Sequence, residues 1–222
     1  DAVWNLNTGR MLLIDTQLEG KLQAGSTAHT LLAGLDVQRN HTGQQAWRAV
    51  ASSIDVYNPV YGNFTPPTAA QLVRQPSVVQ KQLGFYAQDQ IQWGRWTATL
   101  GLRHDSAQTD TEGRPAAAVD DKAWTKRAGV TYQMDGGWAP YAGYSESFQP
   151  LGGLDAYGTP YKPQRGEQWE AGVKWQPPGQ GISAFAAVYT LREKNRKTTD
   201  PSNPLNSLQI GEVQVNGFEP EV

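Results

Sequence analysis

Few side chains in this sequence stand in a pattern that could carry covalent chemistry. The three histidines, His29, His41 and His104, are scattered. No His-x-x-x-His or paired-carboxylate spacing surrounds them, so no metal centre is expected and they read as ordinary surface, rim or interior residues. With 0 Cys, thiolate metal sites and a disulfide framework are excluded. The run Gly143-Tyr144-Ser145-Glu146-Ser147 fails as a hydrolase nucleophile elbow, because that motif needs Gly at its fifth position and a strand-turn-helix setting. Asn40-His41-Thr42 and Asn63-Phe64-Thr65 match the glycosylation sequon, a motif short enough to arise by chance. These residues do not point to an enzyme.

The elements that hold such residues have a composition of their own. The 222 residues are 38% hydrophobic and only 18% charged, with Gly 23, Trp 8 and Tyr 9. That is thin for a conventional core and too poorly charged for charge-driven disorder. It suits a wall that is wet on one side and greasy on the other. A net charge of -2 and the absence of a basic run argue against nucleic acid as a partner. No apolar stretch reaches the roughly 18 to 20 residues of a spanning helix, which leaves a barrel open because its strands escape hydropathy scans. The chain opens Asp1-Ala2-Val3-Trp4 with no readable leader, and a fragment or a mature product is expected.

Two-residue alternation dominates, and about nine strands can be counted. In 96–105, Trp96, Ala98, Leu100 and Leu102 oppose Thr97, Thr99, Gly101, Arg103 and Asp105. In 124–134, Trp124, Ala128, Val130 and Tyr132 oppose Thr125, Arg127, Gly129 and Thr131, with Lys126 the exception. In 168–176, Trp169, Ala171, Val173 and Trp175 oppose Glu170, Gly172 and Lys174. Earlier segments alternate likewise, through Leu12, Ile14, Leu18 and Leu22 and then Leu31, Ala33, Leu35 and Val37. Asp89 falls on the apolar parity of 79–93, and the parity slips within 207–220; a bulge or rim position would account for either.

Connections alternate in length. Short ones are expected at Gly94-Arg95, Asp135-Gly136-Gly137 and Pro177 to Gly181, and long ones over about 41–77, 106–121, 149–164 and 196–206. That is an up-and-down meander with tight turns at one end. Trp93, Trp96, Tyr132, Trp138, Tyr141 and Trp175 cluster beside the short turns. They read as an interfacial girdle, or in a soluble sandwich as core anchors. The 41–77 segment carries Trp47, Tyr57, Tyr61 and Phe64, and a loop this long is uncommon unless functional or disordered.

Gly84-Phe85-Tyr86-Ala87-Gln88-Asp89-Gln90-Ile91-Gln92-Trp93 followed by Thr99-Leu100-Gly101-Leu102-Arg103-His104-Asp105 resembles the paired "YxQDQ" and "TLGxRxD" strands of TonB-dependent ferric-siderophore receptors, the ferrichrome-type branch in particular. Tyr57 to Gly62, Asp120-Asp121-Lys122, Ala139-Pro140-Tyr141, Tyr144 to Phe148, Gly166 to Lys174 and Gly211-Glu212-Val213 match in family order, so the similarity spans nearly the whole chain. The resemblance implies an all-β fold: a transmembrane antiparallel up-and-down β-barrel of 22 strands in the bacterial outer membrane. Residues 1–222 would then be part of that barrel domain, with the amino-terminal plug and the carboxy-terminal strands absent.

The resemblance also implies a function, uptake of ferric siderophores energised by TonB, and partners: the ferric siderophore, TonB, outer-membrane lipid and the receptor's own plug. Iron would arrive inside its chelate, so no cofactor or protein-held metal is expected. In that setting Trp47, Tyr57, Tyr61 and Phe64, and a weaker set of Phe148, Tyr157 and Tyr161, are candidates for siderophore contact, their rings offering flat area and polar edges. Packing of the loops against themselves is the competing reading. Arg103, Arg127, Glu170 and Lys174 would face the lumen and a plug. Periodicity alone also permits a porin or adhesin translocator, or a soluble β-rich binding domain, but neither explains the order of the motifs.

Overall fold

In a computed structural model, residues 2–50, 53–62, 66, 68–74, 76–155, 157–209 and 211–222 are described. The strands are β1 (Ala2–Ala24), β2 (Thr27–Ala49), β3 (Leu72–Arg74), β4 (Val78–Trp93), β5 (Trp96–Thr111) and β6 (Val119–Tyr132). They continue with β7 (Trp138–Gln149), β8 (Gln164–Trp175), β9 (Ala184–Lys194), β10 (Lys197–Asp200), β11 (Asn203–Gln209) and β12 (Glu212–Glu221). Helix among the described residues is limited to three single 3-10 turns. Nine long strands form an antiparallel meander in the order β1-β2-β4-β5-β6-β7-β8-β9-β12, with β3 paired to the end of β2. β1 and β12 each have a neighbour on one side only, so the sheet does not close.

The tight turns form where the residues permit them. Gly94 takes φ 56 between Trp93 and Trp96, a left-handed conformation that a side chain would resist in a two-residue hairpin. The long connections are shorter than their composition suggested. β2 runs on to Ala49, so the first loop starts at 50 and Trp47 lies on a strand; β5 and β6 extend to Thr111 and from Val119. Gly, Gln and Asn in these stretches read as loop, yet ladder pairing carries them. Segment 196–206 folds into the β10–β11 hairpin, and the parity slip in 207–220 is a break between β11 and β12, which belong to different sheets.

Directly opposed residues share a face, so rows can be followed across the sheet. Leu18, Ala33, Ala87 and Leu102 form one row, and Asp15, Asp36, Gly84, Asp105 and Ala123 form one on the other face. Burial runs opposite to that of a soluble domain. On the apolar face Leu18 is 76% exposed and Phe218 65%, whereas Asp105 is 2% exposed on the polar face. No second layer covers the apolar face among the described residues. Leu100, Val130, Ala171 and Val173 share the apolar face, and Thr99, Arg127, Gly129 and Glu170 the polar one. Most of the buried residues, Ala107, Thr109, Ala117, Ala123 and Tyr161 among them, lie toward the long-loop end.

Candidate functional site

Aromatic rings mark two levels on the apolar face. Trp96 lies tilted against Tyr132 at 4.6 Å and Trp138 against Trp175 at 5.6 Å beside the short turns. Tyr141 does not belong to this girdle: it alternates to the polar face and its hydroxyl donates to Glu170 at 2.5 Å. A second row, not singled out from the sequence, lies farther up, where His104 meets Trp124 at 4.7 Å and Tyr144 meets Trp169 at 4.6 Å. Tyr132 and Trp124 are eight residues apart on β6, about 26 Å along the strand or ~20 Å at a 40° tilt. That is close to the height of a membrane-embedded apolar band. The spacing of aromatics along one strand parity was the signal that could have found it.

Asp89, the polar exception on the apolar parity, is matched by His29, whose Nδ1 lies 2.8 Å from its Oδ2; Thr27 Oγ1 lies 2.9 Å from the other ring nitrogen. The pair lets a carboxylate sit among leucines. Lys126, the other exception, lies 3.6 Å from Glu146, level with the upper aromatics. Lys81, Lys122, Arg165, Arg192 and Lys194 take the same face at or above that level.

The polar face is organised by Arg103. Its guanidinium donates to both oxygens of Asp36, at 2.5 and 3.1 Å, and to both oxygens of Asp105, at 2.5 to 3.0 Å. Gln82 donates to Asp105 at 2.8 Å and Tyr86 to Asp15 at 2.8 Å. Arg103 can lie flat on the wall because Gly84 is beneath it, where a Cβ would overlap the guanidinium. Arg127 donates to Gln88, and Gln168 to Glu170 at 2.9 Å. Groups of three or more metal-ligating side chains are absent among the described residues.

At the long-loop end, segment 150–163 is tied to the β10–β11 hairpin. Tyr161 is buried beneath Lys197, whose Nζ lies 3.8 Å from the ring centre and donates to the Gly152 carbonyl at 2.9 Å. Tyr161 donates to the Ser207 carbonyl at 3.2 Å, and Gln209 bridges Lys162 and Asn195. Burial lowers the Lys197 ammonium from its ordinary value and raises the Tyr161 phenol. On the other side Gln80 donates to the Pro150 carbonyl at 3.0 Å, so the segment reaches across to β4.

The aromatic candidates are not brought together. Tyr57 is 98% exposed and Tyr61 81% in the first long loop, and Tyr157 is exposed in the loop after β7. Trp47 stacks on Trp4 at 5.0 Å, at the parity of the apolar face. Phe148 lies on that face too, with the Arg165 guanidinium 5.8 Å from its ring centre. Tyr161 is a packing residue in this arrangement, and Phe64 lies outside the described residues.

Residues 3–222 match the family model described as TonB dependent receptor-like, beta-barrel. The ferrichrome outer membrane transporter/phage receptor of Escherichia coli (strain K12) is 37% identical over 217 residues, 94% of this chain and 29% of the relative. The ferrioxamine B receptor of Salmonella typhimurium (strain SL1344) is 36% identical over 214 residues, 95% of this chain and 30% of the relative. The crystal structure of the outer-membrane ferripyoverdine receptor of Pseudomonas aeruginosa bound to ferripyoverdine has the same fold. Its TM-score is 0.78 at 17% identity, covering 98% of this chain and 31% of that one. The chain thus spans about 30% of the length of its relatives. An open sheet with an exposed leucine-rich face and an Arg103-centred aspartate network on the other, aromatics at two levels and this ordered match have one common account: the chain belongs to the TonB-dependent receptor β-barrel family.

Proposed function

We propose that the intact protein is a bacterial outer-membrane receptor that takes up ferric siderophores, driven through TonB by segments outside this chain. The observation that carries the reading is the inverted burial of a sheet that matches the family from 3 to 222. An exposed leucine face is unstable in water and stable against acyl chains. The polar face then lines a lumen, where Arg127 and Glu170 meet the plug. Tyr57, Tyr61 and Tyr157 are the exposed rings that could first catch a chelate at the outer end. Trp47 and Phe148 face away from the lumen, and Tyr161 serves the loop tie.

The test is a deletion strain supplied with single ferric siderophores as sole iron source, complemented by the intact gene with and without functional TonB. TonB-dependent rescue by at least one siderophore is expected. Growth equal to the wild type in the deletion strain on every siderophore tried, with uptake of labelled iron unchanged, would reject the reading.

A further inference from the structure

One seam of the meander is built differently from the others. β6 and β7 pair over five rungs only, from Arg127 with Ser145 to Thr131 with Tyr141, whereas every other neighbouring pair in the meander keeps at least ten. Strand length is not the reason, since β6 pairs with β5 as far as Val119 and β7 with β8 as far as Gln149. Below the five rungs the next partner of Tyr132 would be Pro140, which has no N–H to donate. There the turn closes the seam, with the Met134 amide donating to the Trp138 carbonyl at 2.8 Å. Above the five rungs the two strands run on without a ladder.

Side chains stand in for the missing rungs. Glu146 accepts from the Lys126 amide at 3.1 Å through one carboxylate oxygen and from the Tyr144 hydroxyl at 2.6 Å through the other. Arg165 reaches over from β8 to the Lys122 carbonyl at 3.4 Å. A cavity of about 280 Å³ lies at this place, lined by Trp124, Glu146 and Arg165 of one parity and by Thr125 and Ser147 of the other, so both faces of the wall contribute to it. The break begins at the level of the upper aromatics, Trp124 and Tyr144. An unpaired strand edge cannot be satisfied in hydrocarbon, but at the headgroup level water and charged side chains can serve it.

A strap crosses the gap at its top. The chain leaving β7 folds onto the other side of the seam, where Gln80 of β4 donates to the Pro150 carbonyl at 3.0 Å. Lys197 of the β10–β11 hairpin donates to the Gly152 carbonyl at 2.9 Å. Two laddered panels, β1 to β6 and β7 to β12, are thus joined by a ladder in their lower halves and by side chains and this strap in their outer halves.

We propose that the β6–β7 seam is a hinge at which the outer halves of the two panels part and rejoin, with Glu146 as the latch and Pro150 to Gly152 as the strap. Parting here breaks no ladder, whereas any other seam would have to give up rungs. It sets the width of the outer end of the wall.

The experiment reads distances across the seam by electron paramagnetic resonance in the intact receptor, reconstituted in bilayers with no cysteine but those introduced. Spin labels at Thr125→Cys and Ser147→Cys report on the seam. Labels at Thr99→Cys and Gly129→Cys, direct partners on the β5–β6 ladder, are the reference. The reference pair should give one narrow distance and the seam pair a second, longer component. Glu146→Ala should enlarge that component about three- to tenfold. Glu146→Gln, which keeps an acceptor for the Lys126 amide, should leave it near the wild-type level. Gln80→Ala, which frees the strap, should enlarge it as well, and keeps the test open where Glu146→Ala fails to assemble. Folded amount is followed by heat-modifiable gel migration. A single narrow distance for the seam pair, the same in wild type and in the folded latch and strap variants, overturns the hinge. A longer component that no folded variant changes overturns the latch and strap with it. The test needs no chelate, so its outcome is independent of the siderophore-receptor reading.

Discussion

Arg103→Leu should destabilise the barrel more than any surface substitution, and the reason can be worked from the polar face. The change removes five hydrogen bonds to Asp36 and Asp105. It leaves those carboxylates, 7% and 2% exposed, close together without a counter-charge. Removing one partner of a buried ion pair costs about 3 to 5 kcal/mol, because the stranded charge remains desolvated. Arg103 itself is 31% exposed, so the lower end, about 3 kcal/mol, is expected. Asp36→Asn and Asp105→Asn added to Arg103→Leu should recover most of that loss, since a neutral network no longer strands charge. Gly84→Ala should act on the same network by lifting the guanidinium from the wall, and should add little once Arg103 is gone. The assay is urea unfolding of the intact receptor in bilayers, read by heat-modifiable migration. An Arg103→Leu variant within about 0.5 kcal/mol of wild type, or a triple variant no better than the single one, would refute the reasoning.

The two faces can be separated by single cysteines in a chain with 0 Cys: spin labels at Leu100, Val130, Ala171 and Val173 should be quenched by lipid-soluble reagent, and those at Thr99, Arg127, Gly129 and Glu170 by aqueous reagent. Equal aqueous quenching of both sets would reject the assignment. At the short-turn end, the hydrogen bond from Arg95, and then its charge, hold Asp135 below the ordinary carboxylate value. Its folded value being depressed, the Arg95 contact is fully present above the ordinary value and is lost as pH falls through the depressed one. NMR titration of Asp135 should show the displaced midpoint, and Arg95→Gln should return it to the ordinary range. Tyr57→Ala or Tyr61→Ala should weaken chelate capture about tenfold or more if the ring is a contact, whereas Tyr161→Ala should loosen the 150–163 loop; fluorescence titration beside limited proteolysis tells the two effects apart.

Fold and face were legible because a strand writes its environment at period two. Leu100 beside Thr99 and Val130 beside Gly129 repeat a choice that every rung must make, so errors average out along the chain. Loop boundaries were less legible for a related reason. Gly43, Gln44 and Gln45 look like loop residues, yet in β2 they pair with Thr8, Asn7 and Leu6 in an unbroken register. A strand that stands above the apolar band needs no hydrophobic parity, and parity was the signal being read.

The candidate site is harder to read from sequence, for one shared reason. Residue type points to Trp47 and Phe148, but which way a ring points is fixed by the strand register that carries it, and both registers turn the ring away from the polar face. Place in a loop points to Tyr161, but its burial under Lys197 depends on a hairpin some forty residues on. The reach of Pro150 to Gly152 back onto β4, where Gln80 donates to the Pro150 carbonyl, has no sequence signal either, since amides are common along this wall. Local pattern determines what a strand shows to each side; a site assembled from four distant segments depends on long-range closure, which no local pattern encodes.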